Sequence, residues 1–263
     1  MSYSKKKVTK KNNGTRISKL DEIDKLPDFP DFSEVLTLPW RDWICSADYH
    51  LPFLNKPLFK QMLKDARDRK LTKLLIAGDF FDLNAFSKFY CHYPVEWKKE
   101  REFAKEVVKI LINNFSEIVF MASNHEIRYL KNMINPCGDI EDLYSVIGID
   151  NRKYPVTLKN QCIVDNFIVI HPKNARHNQL SFAREISNIH KEKHIVIAHA
   201  HMQSQAIDPA GTHWLIDIGL MGDANKIEYK NMMVTGHYAW NSGYMIVEDG
   251  RPELKWDESK IKR

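Results

Sequence analysis

Five short clusters of aspartate, asparagine and histidine mark the 263-residue chain: Asp48-Tyr49-His50, Gly78-Asp79-Phe80-Phe81-Asp82, Ser123-Asn124-His125-Glu126, His171, and His199-Ala200-His201. Carboxylate, amide and imidazole groups are oxygen and nitrogen ligands. They suit Mn²⁺, Fe, Zn²⁺ or Ni²⁺ better than a thiolate-loving ion. Seven such donors are about what two ions need when one carboxylate bridges them and solvent fills the remaining positions. Two ions ~3.5–4 Å apart bind a phosphate and a hydroxide together, so no Ser or Cys nucleophile is required. Each cluster alone is a weak signal, since D-x-H, G-D-x-x-D and H-x-H occur by chance. A lone strand-end histidine is more often structural than a ligand. The weight lies in all five occurring in order, each after a hydrophobic strand.

Those strands are legible as short apolar runs. Trp43–Cys45, Leu74–Ala77 and Ile118–Met121 precede the first three clusters. Between them, Leu58, Met62 and Ala66 share a helical face, and Phe103, Val107, Ile110 and Leu111 form a stripe within a helix from about Val95 to Phe115. Asp139–Val146 reads as a short helix with Asp139 as N-cap. Further on, Gln161–Val164 and Phe167–Ile170 form a hairpin turning at Asp165–Asn166. Ser181–Lys191 is helical, and Ile195–Ala198, Trp214–Ile216, Tyr244–Val247 and Leu254–Trp256 are strands. The first half alternates β and α and the second is richer in hairpins. This predicts an α/β fold, two mixed sheets face to face with helices outside, as a four-layer αββα sandwich. Ligand sites in such folds form at strand ends, where side chains leave the core and converge.

The motif set resembles the calcineurin-like metallophosphoesterase superfamily, whose pattern is D-x-H, G-D-x-x-D, G-N-H-D/E, H and G-H-x-H. The resemblance spans roughly residues 42–202. A less specific likeness, over Asp217–Val247, is to the tail of phage-type members. The resemblance implies the αββα fold of metallo-dependent phosphatases and two divalent ions, with Mn²⁺ the first choice. Asp48, His50 and His201 would hold one ion, Asn124, His171 and His199 the other, and Asp79 would bridge them. His125 would face the scissile phosphate and protonate the leaving oxygen. Glu126 would orient His125 and keep it protonated near neutral pH. Asp82 would hold a ligand by hydrogen bond. Two positions depart from the pattern: Ser123 and Ala198 stand where the family has glycine, and neither takes φ > 0 readily.

The activity implied is hydrolysis of phosphodiester bonds by a hydroxide activated between two metals, on nucleic acid (DNA or RNA) or nucleotides. A phosphomonoesterase with the same site is the first alternative. The second is a non-catalytic scaffold, a use some superfamily members, such as a retromer subunit, make of this fold. The complete donor set and His125 speak against a scaffold. After His171, the loop of Lys173, Asn174, Arg176 and His177 is a candidate for contact with a substrate phosphate, with Arg176 the best bidentate ligand and an ordinary polar loop the equal alternative. His213 and His237 are weaker outer-shell candidates. Phe80, Phe81, Phe86, Phe89, Tyr90 and Tyr93 form an aromatic group in which Phe80 and Phe81 pack the core and a minority of the others reach the site as a stacking surface.

The bulk properties are permissive. Hydrophobic residues make up 43% and charged residues 28%, a globular balance. No apolar run of ~18 residues suggests a membrane span. The N-terminus is Lys-rich without an apolar core, unlike a secretory signal. Cys45, Cys91, Cys137 and Cys162 are widely spaced and form no C-x-x-C pair, so a zinc knuckle or disulfide framework is not expected and a cytoplasmic location is. The net charge of +5 is compatible with a phosphate-bearing substrate. Residues 1–37, basic and then acidic, are expected to be a mobile tail, and 38–263 a single domain. Protein partners are not legible.

Overall fold

Strands that are apolar at nearly every position need a sheet covered on both faces. In the computed structural model, which describes residues 35–88, 90–132, 139–173, 178–228, 230 and 240–260, they build two six-stranded sheets. With strands numbered along the chain, the first sheet holds β2 (Trp43–Ser46), β3 (Lys73–Ala77), β4 (Glu117–Met121) and β5 (Val156–Thr157), all parallel. Antiparallel β11 (Gly243–Glu248) and β12 (Arg251–Trp256) extend it, giving the order β12-β11-β2-β3-β4-β5. The second sheet holds β1 (Leu36–Leu38), β6 (Gln161–Val164), β7 (Phe167–Ile170), β8 (His194–Ile197), β9 (Ser204–Ile207) and β10 (Trp214–Asp217), in the order β1-β6-β7-β8-β10-β9. Parallel and antiparallel pairs mix in both sheets.

The period of two sorts side chains into layers. On β2, β3 and β4, Trp43, Cys45, Leu75, Ala77, Val119 and Met121 point between the sheets. They meet Phe167, Val169 and Val196 of the other sheet, with Trp43 edge-on to Phe167 at 5.7 Å between ring centroids. The alternate residues Ile44, Leu74, Ile76, Ile118 and Phe120 face α1 (Lys56–Asp68), α2 (Trp97–Asn114) and α4 (Ile140–Ser145). On the far side Ile168, Ile170, Ile195 and Ile197 pack against α5 (Ser181–Ser187). The result is the expected αββα sandwich.

Local signals explain the helix starts. Asn55 caps α1 by accepting from Leu58 N at 3.2 Å, with Pro57 in the first turn. Asp139 and Asp142 form a capping box on α4. Several elements differ from the sequence reading, among them β5 and β9, which it did not include. Leu36 and Thr37, assigned to the tail, belong to β1, which pairs with β6. α5 ends at Ser187 rather than Lys191, and β12 starts at Arg251. The helix α3 (Asn124–Asn132) was not expected. Residues 1–34, the bulk of the expected tail, lie outside the described residues. No helix among the described residues is long and apolar enough to cross a membrane. Cys45, Cys91 and Cys162 are free thiols.

Candidate metal centre

All five clusters lie at the C-terminal ends of parallel strands and meet where the two sheets adjoin. Asp48 and His50 follow β2, Asp79 follows β3, and Asn124 opens α3 after β4. From the second sheet, His171 follows β7, and His199 and His201 follow β8. Backbone bonds from Asp48 N to Gly78 O (3.0 Å) and from His50 N to Asp79 O (3.1 Å) lace the first two loops together. Asp48, His50, Asp79, His199 and His201 all have positive φ, between 44° and 72°. Each such non-glycine residue costs ~1–3 kcal/mol and persists only where its surroundings fix it. Ser123 and Ala198, in the family's glycine positions, are not among the positive-φ residues. Beside Ala198 the strained conformation falls on His199.

The donor atoms converge. Asp79 Oδ2 lies 3.4 Å from His171 Nε2, 3.7 Å from His199 Nδ1, 3.7 Å from His125 Nε2 and 4.0 Å from His50 Nε2. His201 Nε2 is 3.1 Å from Asp48 Oδ1. Asp48, Asp79, His171 and His199 form one group whose donor atoms lie within 4.8 Å of one another, and Asp48, His50 and His201 form another. His50, Asp79 and His125 form a third, so geometry alone does not set His125 apart from the ligands.

Three features fit this set to divalent ions. Asp79 Oδ2 and Asn124 Oδ1 are buried without a hydrogen-bond partner, a costly condition for polar atoms unless a ligand takes their lone pairs. Imidazole nitrogens face each other at 3.3 Å (His50 and His201) and 3.2 Å (His171 and His199). That is the spacing of two nitrogens each ~2.0–2.1 Å from one ion. The outer nitrogens are also anchored. His171 Nδ1 donates to Ala77 O at 2.7 Å, and His50 Nδ1 faces Asp82 Oδ1 at 3.2 Å, leaving each Nε2 turned to the cluster.

The field of the cluster calls for positive charge. Burial works to lower the His171 pKa, but the Asp79 and Asp48 carboxylates hold it up at about 9. Burial works to raise Asp79, yet His125 and His171 pull it well below the carboxylate range. Cations would satisfy the same field.

Glu126 departs from its expected role. Its carboxylate accepts from Phe80 N (2.8 Å), Phe81 N (3.2 Å) and Ser123 N (2.9 Å) and lies 2.9 Å from Ser123 Oγ instead of reaching the His125 ring. It pins the loops after β3 and β4 together. His125 is oriented by the Asp82 carbonyl, which accepts from Nδ1 at 2.7 Å and from Arg128 Nη1 at 3.2 Å. Burial pushes the His125 pKa down to about 3, against the pull of the Asp79 carboxylate, and no Glu126 oxygen reaches the ring to hold a proton on it.

Several contributors carried no sequence signal. Ser123 Oγ accepts from Asp79 N at 2.8 Å and donates to Asp79 Oδ1, a function glycine could not supply. Asp217, at the end of β10, is fully buried with Oδ2 unpartnered. Burial lifts its pKa to about 8, against the Gly219 N–H, and the Asp48 charge adds to the rise. Glu100 of α2 reaches under the site and accepts from Asp82 N (3.1 Å) and Leu83 N (2.9 Å).

Burial raises the Glu100 pKa from 4.5 to about 8, although these N–H groups oppose the rise. The folded chain keeps this proton when the unfolded chain has lost it, so stability is full below pH 4.5 and falls as pH rises towards about 8. Glu100→Gln preserves the acceptor and removes the titration. Between pH 5 and 8 the unfolding free energy of the wild type should fall relative to the variant, by up to ~1.4 kcal/mol per pH unit. Parallel urea curves for the two proteins would expose the assignment as wrong.

Other candidates fall elsewhere. Asn174, Arg176, His177, His237 and Phe89 lie outside the described residues. His213 contacts Thr212 Oγ1 (2.8 Å) and the ring of His194, at the opposite end of β8 from the cluster. Phe80 and Phe81 are core residues, and Phe86 packs on Trp97 and Tyr129. Tyr90 and Tyr93 are exposed beside His92.

No protein-family model and no curated protein matches the chain. Among solved structures it is similar to a point variant of Vps29 from Entamoeba histolytica, with 11% identity, 81% of this chain and 97% of that chain covered, and a TM-score of 0.43. It is similar to nuclease MPE of Pseudomonas putida, with 12% identity, 81% and 87% covered, and a TM-score of 0.34. A dimetal phosphatase from Danio rerio is 10% identical, with 84% and 100% covered and a TM-score of 0.34. On its own residues, the chain carries a motif set like that of the calcineurin-like metallophosphoesterase superfamily, in order, gathered at one edge of a two-sheet αββα sandwich.

Proposed function

We propose that the chain is a metal-dependent phosphoesterase of the calcineurin-like type, acting on phosphodiester bonds of nucleic acid or nucleotides. The observation that carries this reading is the convergence of Asp48, Asp79, His171 and His199 in one group and of Asp48, His50 and His201 in an adjoining one, with Asp79 Oδ2 and Asn124 Oδ1 unpartnered. Asp48, His50 and His201 would hold one ion, Asn124, His171 and His199 a second, with Asp79 between them. When bound, two divalent ions neutralise phosphate charge and make hydroxide available near neutral pH. The chain's own part is positional. Asp82 and the Ala77 carbonyl fix the His50 and His171 rings, and Ser123 and Glu126 fix the loops that carry Asp79 and Asn124. His125, fixed at Nδ1 by the Asp82 carbonyl, turns Nε2 to the cluster, where the negative charge of a bound phosphate would favour the protonated ring and Nε2–H would serve the leaving oxygen.

The test is hydrolysis of bis-p-nitrophenyl phosphate against p-nitrophenyl phosphate across several divalent metals, with EDTA as control. Diester cleavage abolished by EDTA is expected, and preference for the monoester would replace the diester reading. His125→Ala should lower kcat on the diester by ~10²-fold or more, the scale of a positioned proton donor, while metal content stays near the wild-type value. Loss of an ion from that variant would make His125 a ligand instead.

A further inference from the structure

A cavity of about 360 Å³ opens beside the metal centre, and Asn124 and His171 belong to both. Its apolar wall comes from three separate elements: Ile127 on α3, Leu158 after β5, and Pro172 after β7. Leu158 is a large apolar side chain that is 47% exposed. Lys131, in the last turn of α3, and Lys173, after β7, also line the cavity and are exposed. Among the described residues no carboxylate lines it and neither lysine forms an ion pair.

We propose that this cavity is a substrate subsite that seats one nucleoside unit against Ile127, Leu158 and Pro172, while Lys131 and Lys173 hold the phosphate next to the scissile one. The proposal rests on the phosphodiesterase reading. The cavity shares two candidate ligands with the metal centre, so a group seated in it is joined directly to the phosphate under attack. Its size is at the small end of ligand pockets, ~300–1,000 Å³, enough for a single nucleotide unit. An apolar wall suits the face of a base or sugar, and two ammonium groups without acidic neighbours favour a second anion. Lysine binds phosphate as a point charge and does not demand one fixed geometry. The subsite would therefore favour substrates by charge and size more than by base identity.

The experiment compares a 5′-phosphorylated thymidine dinucleotide, which carries a phosphate beyond the scissile diester, with bis-p-nitrophenyl phosphate, which carries none. In the Lys131→Ala, Lys173→Ala double variant, KM for the dinucleotide should rise roughly 3- to 10-fold, the scale of exposed ion pairs. The kcat should stay within about 2-fold, turnover of bis-p-nitrophenyl phosphate should be unchanged, and the KM difference should shrink at high salt. Equal effects on both substrates, or none on either, would overturn the proposal. A second arm needs no turnover: binding of the same dinucleotide to the EDTA-treated protein by titration calorimetry. Weaker binding by the double variant supports the subsite even if neither diester is cleaved, which would count against the phosphodiesterase reading alone. Equal binding by wild type and variant, or binding of a phosphoserine peptide in preference to the dinucleotide, would overturn it.

Discussion

Asp79→Asn is expected to lower phosphodiester turnover by ~10³-fold or more, the scale on which removing a preorganised charge from a developing transition state acts. The same change should bring the metal content below two ions per chain. Among the described residues, Asp79 is the one carboxylate whose oxygen lies within 4.0 Å of nitrogens on four histidines, His50, His125, His171 and His199. Asparagine keeps the shape but removes the charge and places either a weaker acceptor or an N–H group against those rings. The other oxygen, Oδ1, accepts from Ser123 Oγ and from His125 N at 3.2 Å, and an amide oxygen can keep both bonds. The variant should therefore fold, as near-ultraviolet circular dichroism would record. A folded variant with two ions and undiminished kcat would remove Asp79 from the mechanism.

Gly78→Ala should be nearly as damaging, through the backbone and a neighbour together. Gly78 sits at φ 95°, which costs a residue with a Cβ ~1–3 kcal/mol. The added Cβ would also stand 2.2 Å from His171 Nδ1 and 2.7 Å from its Cγ, distances no packed structure tolerates. His171 cannot simply turn away, because Nδ1 is bonded to the Ala77 carbonyl at 2.7 Å. A loss of ~2–4 kcal/mol in urea unfolding is expected, with weaker metal binding at the His171 side. Gly250→Ala is the control. Gly250 also has positive φ, 71°, but no atom lies within 4 Å of its would-be Cβ, so only the backbone cost should appear. Equal losses in the two variants would mean that His171 does not depend on the missing side chain.

Much of this site was legible in the sequence because one geometric rule governs it. The strands are parallel and apolar on both faces, so the first polar residues after each strand must emerge at the same edge. That rule located Asp48, His50, Asp79, Asn124, His171, His199 and His201 without knowledge of the pairing. Partners set by tertiary approach were not legible. Ser123 read as a small substitute for glycine, but its hydroxyl bridges Asp79 and Glu126 across 44 residues of chain on one side and three on the other. Glu126 follows His125 directly, which suggested a pair, but a helix sends adjacent side chains to different faces. That helix, α3, escaped notice because Asn124–Asn132 is mostly polar or charged, and its first turn is anchored by neighbouring loops rather than by a broad apolar stripe. β1 was missed for a simpler reason: three residues beside prolines carry no period. Glu100 belongs to no motif, Asp217 only opens the less specific C-terminal likeness, and burial is what marks them.

The donor set is divided between the sheets, and the division is chemical as well as spatial. The first sheet supplies both carboxylates, the asparagine and His50, while the second supplies only imidazoles, from His171, His199 and His201. The distance across the centre is therefore the distance between the two sheets. That distance is set by the layer where Trp43 meets Phe167 and where Cys45, Leu75 and Val119 meet Val169 and Val196. The apolar filling works as the spring of a caliper whose jaws are the strand ends. If the proposed ions bind, a looser filling would widen the bite and favour larger ones, and a tighter one would favour smaller ones, with every candidate ligand residue unchanged.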